Sequence, residues 1–255
     1  MSKKKIGIII AAVLAPALIA GAVFALNGKE KLSSDGVPLN AAVVWTEPQI
    51  EAAARHALNK PQGDITYKDA LKCRRFILDK GMVSDISDLK YFKNLKTLSL
   101  SENRISDLSV LSELTKLENL YLDNNEISDL SPLSELTGLK NLYLSKNQIS
   151  DPSPLKELRN LDTLFLDNNL IYSLNGLEEL GELTNLWLHN NSIEDLQPLS
   201  ALEKLEALWL NDNNISDVSA LTGLTKLKVL SITENNLSDQ ALEALPCKEN
   251  GTVIK

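Results

Sequence analysis

The sequence predicts an α/β solenoid built from tandem copies of one short unit. Three observations lead to this prediction: a segment of 22 residues recurs from position 73, its apolar residues alternate as in a β-strand, and an asparagine returns once per copy. A unit of this length cannot close a core by itself, so neighbouring copies must stack and bury their apolar residues against one another.

The repeat occupies residues 73–248 in eight copies of 22 residues. One copy, Leu117 to Gly138, has the sequence LENLYLDNNEISDLSPLSELTG. Its fourth and sixth positions are apolar while the third, fifth and seventh mostly are not, which predicts one short strand per copy. Because the register is the same in every copy, these strands are expected to form one parallel sheet. The other apolar positions return the chain through a second, irregular layer.

Two polar columns of the repeat are interpreted as structural. Asparagine occupies the ninth position in seven of the eight copies, and its amide can satisfy backbone groups in a turn enclosed between leucines. The aspartates at position 13 are expected to cap turns, as Asp107, Asp129, Asp195 and Asp217 would.

The pattern LxxLxLxxNxIxDLxPLxxL resembles the 22-residue leucine-rich repeats of bacterial internalins and internalin-like surface proteins. The resemblance covers about residues 45–248, because residues 45–72 are similar to the helical N-terminal cap of that family. It implies an α/β leucine-rich-repeat solenoid with parallel strands on a concave face, 3-10 or irregular turns on the convex side and a small α-helical cap. It also implies a surface or secreted protein that binds other proteins through the concave sheet.

Both ends of the repeat array are predicted to be closed. In the cap, Thr46 with Gln49 and Thr66 with Asp69 resemble capping boxes at the starts of two helices. At the other end Leu242 and Leu245 suggest a short helix, and residues 249–255 form a closing segment in which 252–254 would add a last strand.

The N-terminal residues 1–26 resemble a targeting segment, in which Lys3, Lys4 and Lys5 precede an uncharged run at positions 6–26. The run is long enough to cross a bilayer, yet small residues near its end suit a cleavage site, so a membrane anchor and a cleaved signal peptide both remain. The lysines are expected to stay in the cytoplasm, which places the rest of the chain outside it. Residues 27–44 are polar, contain glycine, serine and proline, and predict a linker.

Composition excludes several function classes. The formal net charge of −8 repels phosphate backbones, which argues against nucleic acid as a partner. Cys73 and Cys247 would lie roughly 34 Å apart at the usual strand spacing, too far for a disulfide. His189 could neighbour Asp167 on the adjacent strand, but neither a third ligand nor a nucleophile accompanies them. We therefore expect no metal, no cofactor and no enzymatic activity.

The fifth position of each copy lies on the outer side of the strand, where the solenoid does not dictate the residue. Five consecutive copies carry an aromatic residue there. Equal register predicts one row, about 4.8 Å from ring to ring over roughly 19 Å, which we call the aromatic stripe. Its members are Tyr121, Tyr143, Phe165, Trp187 and Trp209.

The aromatic stripe is interpreted as a contact surface, because exposed apolar rows mark such surfaces and Trp and Tyr are frequent at binding hot spots. Its polar border at position 7 includes Asp123, Asp167, His189 and Asn211, which would supply specificity. Stabilisation between strands alone is the competing interpretation. If binding is correct, replacing Trp187 and Trp209 with alanine is expected to abolish it and to leave thermal stability nearly unchanged.

A protein partner is favoured, and three alternatives remain. The same stripe would suit a cell-envelope glycan, whose sugar faces stack on rings, or self-association. An intracellular phosphatase regulator has similar repeats, although the apolar leader argues against it. In the fifth copy Leu170 and Tyr172 occupy usually polar positions, which indicates either an extension of the contact site or simple drift.

Overall fold

The computed structural model describes residues 31–243 and 252–254. The predicted signal peptide or membrane anchor at 1–26 and the second cysteine, Cys247, lie outside these residues. Within them, no helix has the length and apolar character needed to cross a membrane.

The sheet contains one strand from each of the eight repeats and a ninth from the C-terminal segment. All neighbouring strands are parallel and follow chain order, with pairing offset by one copy, as Leu98 with Leu120 shows. The parallel sheet in register is therefore confirmed. Its strands are β1 Arg75–Ile77, β2 Thr97–Ser99, β3 Asn119–Tyr121, β4 Asn141–Tyr143, β5 Thr163–Phe165, β6 Asn185–Trp187, β7 Ala207–Trp209, β8 Val229–Ser231 and β9 Thr252–Ile254.

The return layer consists of short 3-10 turns, as predicted. The aspartates at position 13 cap these turns: Asp107 Oδ1 accepts a hydrogen bond from the backbone N–H of Ser109 at 2.8 Å, and the same bond recurs in five further copies. The turns are Ser87–Tyr91, Ser109–Glu113, Ser131–Leu133, Ser153–Glu157, Leu177–Glu179, Gln197–Ala201 and Ser219–Leu221.

The core lies between the sheet and these turns, and the asparagine column runs through it. Asn125 Oδ1 accepts from the N–H of Ile105, while its Nδ2 donates to the carbonyls of Leu100 and Leu122, each at 3.0 Å. Each amide thus joins its own copy to the preceding one and satisfies backbone groups among fully buried leucines. The structural interpretation of the asparagines is confirmed.

The turn before each asparagine has a backbone feature that the sequence analysis missed. Position 8 adopts a left-handed conformation in all eight copies, with φ between 51° and 60°. Lysine and glutamate are found there as well as asparagine and aspartate, although glycine, asparagine and aspartate enter this region most readily. The turn geometry is therefore imposed by the repeat.

The N-terminal cap contains helices α1 (Pro48–Ala57) and α2 (Tyr67–Ala70). The predicted capping box of Thr66 with Asp69 is present at α2. The one predicted at Thr46 with Gln49 is wrong, because Glu47 is the N-cap of α1 and the Thr46 side chain is engaged elsewhere.

A buried carboxylate joins the cap to the first repeat. Asp88 is fully buried and accepts hydrogen bonds from Thr46 N, Thr46 Oγ1 and Glu47 N at 2.8–2.9 Å. Asp88 therefore fixes the start of α1 onto the repeat array, which is why Thr46 does not cap the helix.

The described part of the predicted linker, residues 31–44, packs against the cap. Leu32 forms an antiparallel bridge with Pro38 across a turn in which Gly36 has a φ of 78°, and Ala42 forms another with Thr66. The Tyr67 hydroxyl donates to Asp35 Oδ2 at 2.6 Å. The glycine, serine and proline that suggested a linker thus form an ordered turn.

The C-terminal end carries a short helix, α3 (Asp239–Glu243), where the sequence suggested one, followed by β9. At the opposite end Cys73 is a free and buried thiol, and burial raises its pKa.

Candidate functional site

The aromatic stripe lies on the outer face of the sheet. Strand alternation buries the leucine at position 4 completely and leaves each ring at position 5 only partly buried. Successive rings stack, with centroids 4.6, 4.6, 3.8 and 4.0 Å apart and planes within 24° of one another. The structure therefore brings all five side chains into one continuous row.

The ring spacing shows how the sheet is curved. Neighbouring strands in a sheet lie about 4.8 Å apart. The rings of Phe165, Trp187 and Trp209 lie only 3.8 and 4.0 Å apart, so these side chains converge as they leave the backbone. Side chains converge in this way on a concave surface, so the stripe lies on the concave face of the sheet.

Stacking decides which parts of the rings are accessible. Each inner ring is covered on both faces by its neighbours, so the row presents ring edges to solvent. The hydroxyls of Tyr121 and Tyr143 and the indole N–H groups of Trp187 and Trp209 have no hydrogen-bond partner in the described part of the chain, and none of these atoms is buried. Burial raises the pKa of Tyr143, which keeps its hydroxyl protonated. The stripe thus offers four free donors.

Two carboxylates border the stripe on its position-7 side. Asp123 Oδ1 accepts from the backbone N–H of Ser145 at 3.0 Å, and Asp167 Oδ1 accepts from Ser145 Oγ at 2.5 Å. Burial, the largest cause, raises the pKa of Asp123 above its ordinary value of 3.8, and hydrogen bonds from Ser145 oppose the shift. The serine between the two aspartates therefore holds both of them in place.

The same border continues with His189 and Asn211. His189 Nε2 lies 3.4 Å from Asp167 Oδ2, so the predicted neighbours are adjacent. Its buried Nδ1 has no hydrogen-bond partner among the described residues. Asn211 Nδ2 donates to Thr233 Oγ1 at 2.6 Å. No group of three potential metal ligands occurs among the described residues.

The opposite border, at position 3, is neutral. Asn141 Nδ2 donates to Asn119 Oδ1 at 2.7 Å, which forms an amide ladder between adjacent strands. Thr163, Asn185 and Ala207 continue the row. The stripe is thus flanked by amides and hydroxyls on one side and by carboxylates on the other.

Residues Leu170 and Tyr172 in the fifth copy are strongly exposed, at 61% and 67%. Other copies carry polar residues at these positions, except for Met82 in the first. The structure therefore leaves an exposed apolar pair just after the Asp167 turn.

Comparisons with known proteins identify the family to which the repeat fold belongs. A family model described as leucine-rich repeats (2 copies) matches residues 93–135, 181–223 and 203–247. No curated protein matches the chain.

Several solved structures are similar. An internalin (inlF) from Listeria monocytogenes has 30% sequence identity and a TM-score of 0.78, and the match covers 84% of this chain and 66% of that one. An internalin C2 (inlC2) from the same organism has 32% identity and a TM-score of 0.78, covering 84% and 93%. A leucine-rich-repeat protein of Leptospira interrogans has 29% identity and a TM-score of 0.61, covering 66% and 44%. The chain belongs to the family of internalin-like leucine-rich-repeat proteins.

Proposed function

We propose that this chain is a non-enzymatic binding module that recognises a protein partner outside the cytoplasm through the aromatic stripe. The observation that carries the proposal is the row of five stacked, partly exposed rings with four free hydrogen-bond donors. Interfaces combine apolar anchors with hydrogen bonds in this way, and Trp and Tyr dominate their binding energy. The leader with Lys3, Lys4 and Lys5 supports export.

The face-to-face stacking favours a protein over a glycan. A sugar stacks on an aromatic face, and the faces of Tyr143, Phe165 and Trp187 are each occupied by neighbouring rings. A protein can contact ring edges with aliphatic side chains and accept hydrogen bonds from the hydroxyls and indoles through its carbonyl groups. Binding to a glycan is nevertheless tested alongside protein capture in the experiment that follows.

A photo-crosslinking residue placed at Asn185 tests the proposal, because Asn185 lies on the same strand and the same face as Trp187. Glu135, which is exposed beyond the turn Ser131–Leu133, is the matched control position. On intact cells we expect a defined crosslinked protein from position 185 and none from position 135. Equal crosslinking from both, or cosedimentation with purified polysaccharide in place of protein capture, contradicts the proposal.

A further inference from the structure

The charge of the binding face is one-sided. At positions 3, 5 and 7 of the third to seventh copies, which form the face around the stripe, the charged side chains are Asp123 and Asp167 when His189 is neutral. Both lie in the position-7 border, two strands apart, which corresponds to roughly 10 Å. The face therefore carries negative charge without a lysine or arginine.

When the His189 side chain is neutral, neither carboxylate has a cationic partner in the described part of the chain. Asp123 accepts from Ser145 N at 3.0 Å and Ser101 Oγ at 3.4 Å. Asp167 accepts from Ser145 Oγ and from Asn168 Nδ2 at 2.7 Å. These donors are neutral, so they orient the carboxylates and leave the charges uncompensated.

Other acidic residues of the repeats form ion pairs with lysines of adjacent copies. Glu118 pairs with Lys96 and Lys140 on the two adjacent copies, and Glu206 pairs with Lys228. These pairs are solvent-exposed, where an ion pair contributes little. The carboxylates beside the stripe are more buried, at 9% side-chain exposure for Asp167, yet they form no pair with a lysine or arginine. A partly desolvated charge without a counter-ion is costly, and a cation supplied by a partner would offset that cost.

We infer that the partner segment lying along the aromatic stripe carries basic side chains, lysine or arginine, that pair with Asp123 and Asp167. This inference rests on the proposed function and names the chemistry of its partner. A segment in the polyproline II conformation has three residues per turn and advances about 3.1 Å per residue, so basic residues three positions apart lie on one side at a spacing close to the roughly 10 Å between the carboxylates. The net charge of −8 would attract such a segment from a distance.

Synthetic peptides test the inference without a known partner. Three peptides share one neutral, leucine-containing sequence and differ at two positions, three residues apart, which hold Arg, Gln or Glu. Binding to the full chain is measured by calorimetry and by tryptophan fluorescence at low ionic strength, where charge interactions are least screened. We expect the Arg peptide to bind about tenfold more tightly than the Gln peptide, and the Glu peptide to bind most weakly.

Variants of the chain test whether Asp123 and Asp167 cause the preference for the Arg peptide over the Gln peptide. The double variant D123N/D167N should lower the Arg-to-Gln affinity ratio to about one, whereas the control E135Q, which removes one exposed charge of the same copy as Asp123, should keep it. An Arg peptide that binds no better than the Gln peptide, or does not bind measurably, overturns the inference. So does a preference that survives D123N/D167N. Crosslinking from position 185 is independent of the peptides, so it can succeed where this inference fails.

Discussion

The rings of Phe165 and Trp187 lie face to face, with centroids 3.8 Å apart and planes 10° apart. Trp187 makes a second contact of the same kind with Trp209, at 4.0 Å. The side chains proposed to bind a partner are therefore also packed against one another, and the stripe is ordered before any partner arrives. Such preorganisation lowers the entropy cost of binding.

The stacking changes the expected effect of removing a stripe residue. Trp187→Ala loses two stacked neighbours, each worth about 0.5–1.5 kcal/mol, so we expect the free energy of unfolding to fall by about 1–3 kcal/mol. The sequence-based expectation of nearly unchanged stability omitted these contacts. Denaturant unfolding measures the loss, and Tyr121→Ala, which loses one neighbour at the end of the row, should cost less. Equal losses for the two variants would contradict this account.

Phenylalanine substitutions separate binding from stability. Y121F/Y143F keeps the stacked rings and removes two hydroxyls that have no partner in the described part of the chain. We expect the free energy of unfolding to change by less than about 0.5 kcal/mol and the affinity for the crosslinked partner to fall about tenfold. Trp45→Phe, in the cap, is the control that should alter neither binding nor the stripe. Unchanged affinity in Y121F/Y143F would show that the partner does not use these donors.

Asp88 is expected to hold the cap in place. Asp88→Ala leaves the N–H groups of Thr46 and Glu47 without their acceptor in a partly buried site, which should cost about 2–4 kcal/mol. Hydrogen exchange of the amides in α1 should accelerate more than exchange in β4 to β6. Asp129→Ala, which removes an exposed turn cap, should leave α1 protected. Uniform acceleration along the chain would argue against a local anchor.

Asp123 should make stability depend on pH. Burial raises its folded pKa above the ordinary 3.8, so the unfolded chain releases this proton first as pH rises. The free energy of unfolding therefore falls as pH increases from about 3.8 through the raised value, and the penalty persists above it. Asp123→Asn should remove this penalty, so the variant gains stability relative to the parent at neutral pH.

Asp69 provides a control, because its pKa is shifted in the direction opposite to that of Asp123. Lys60, the largest cause, lowers the pKa of Asp69, so its contribution to stability is present above pH 3.8 and is lost as pH falls further. Asp69→Asn should therefore destabilise the chain at neutral pH. Thermal unfolding of both variants between acidic and neutral pH measures the direction of each stability change. A change in the same direction in both variants would refute the opposite pKa shifts assigned to Asp123 and Asp69.

The left-handed turn at position 8 predicts a dependence on side-chain branching. Lys146 has a φ of 56° and is exposed, so its side chain can be changed without disturbing the core. Lys146→Val, which is β-branched, should destabilise the chain by about 1–2 kcal/mol, and Lys146→Asn should stabilise it slightly. Denaturant midpoints test both, and equal effects of valine and asparagine would contradict the turn geometry.

Most of the fold could be predicted from the sequence, because the repeat ties each side chain to a fixed place. Register alone predicted that Tyr121 and Tyr143 would be neighbours and that Asp167 would adjoin His189. Features outside the period were missed. Asp88 occupies a position of the repeat at which most other copies have an apolar residue or proline. Only the folded cap shows that its carboxylate binds Thr46.

The site was predicted in outline and missed in its detail. Strand spacing predicted a row of rings, but the curvature that brings Phe165 and Trp187 to 3.8 Å arises from the whole array. Whether Asp123 has a cationic partner also depends on which lysines lie near it in space, which a single sequence does not show. Lys146 follows Ser145 directly, yet it pairs with neither stripe carboxylate.

Hydroxyl-radical footprinting of Trp187 and Trp209, with and without the crosslinked partner, tests the central claim most directly. Both indoles are partly exposed in the free chain, and Trp45 in the cap serves as an internal reference. We predict that the partner strongly reduces oxidation at Trp187 and Trp209 and leaves Trp45 unchanged. Oxidation of the two stripe residues that stays the same in the saturated complex would contradict recognition through the aromatic stripe.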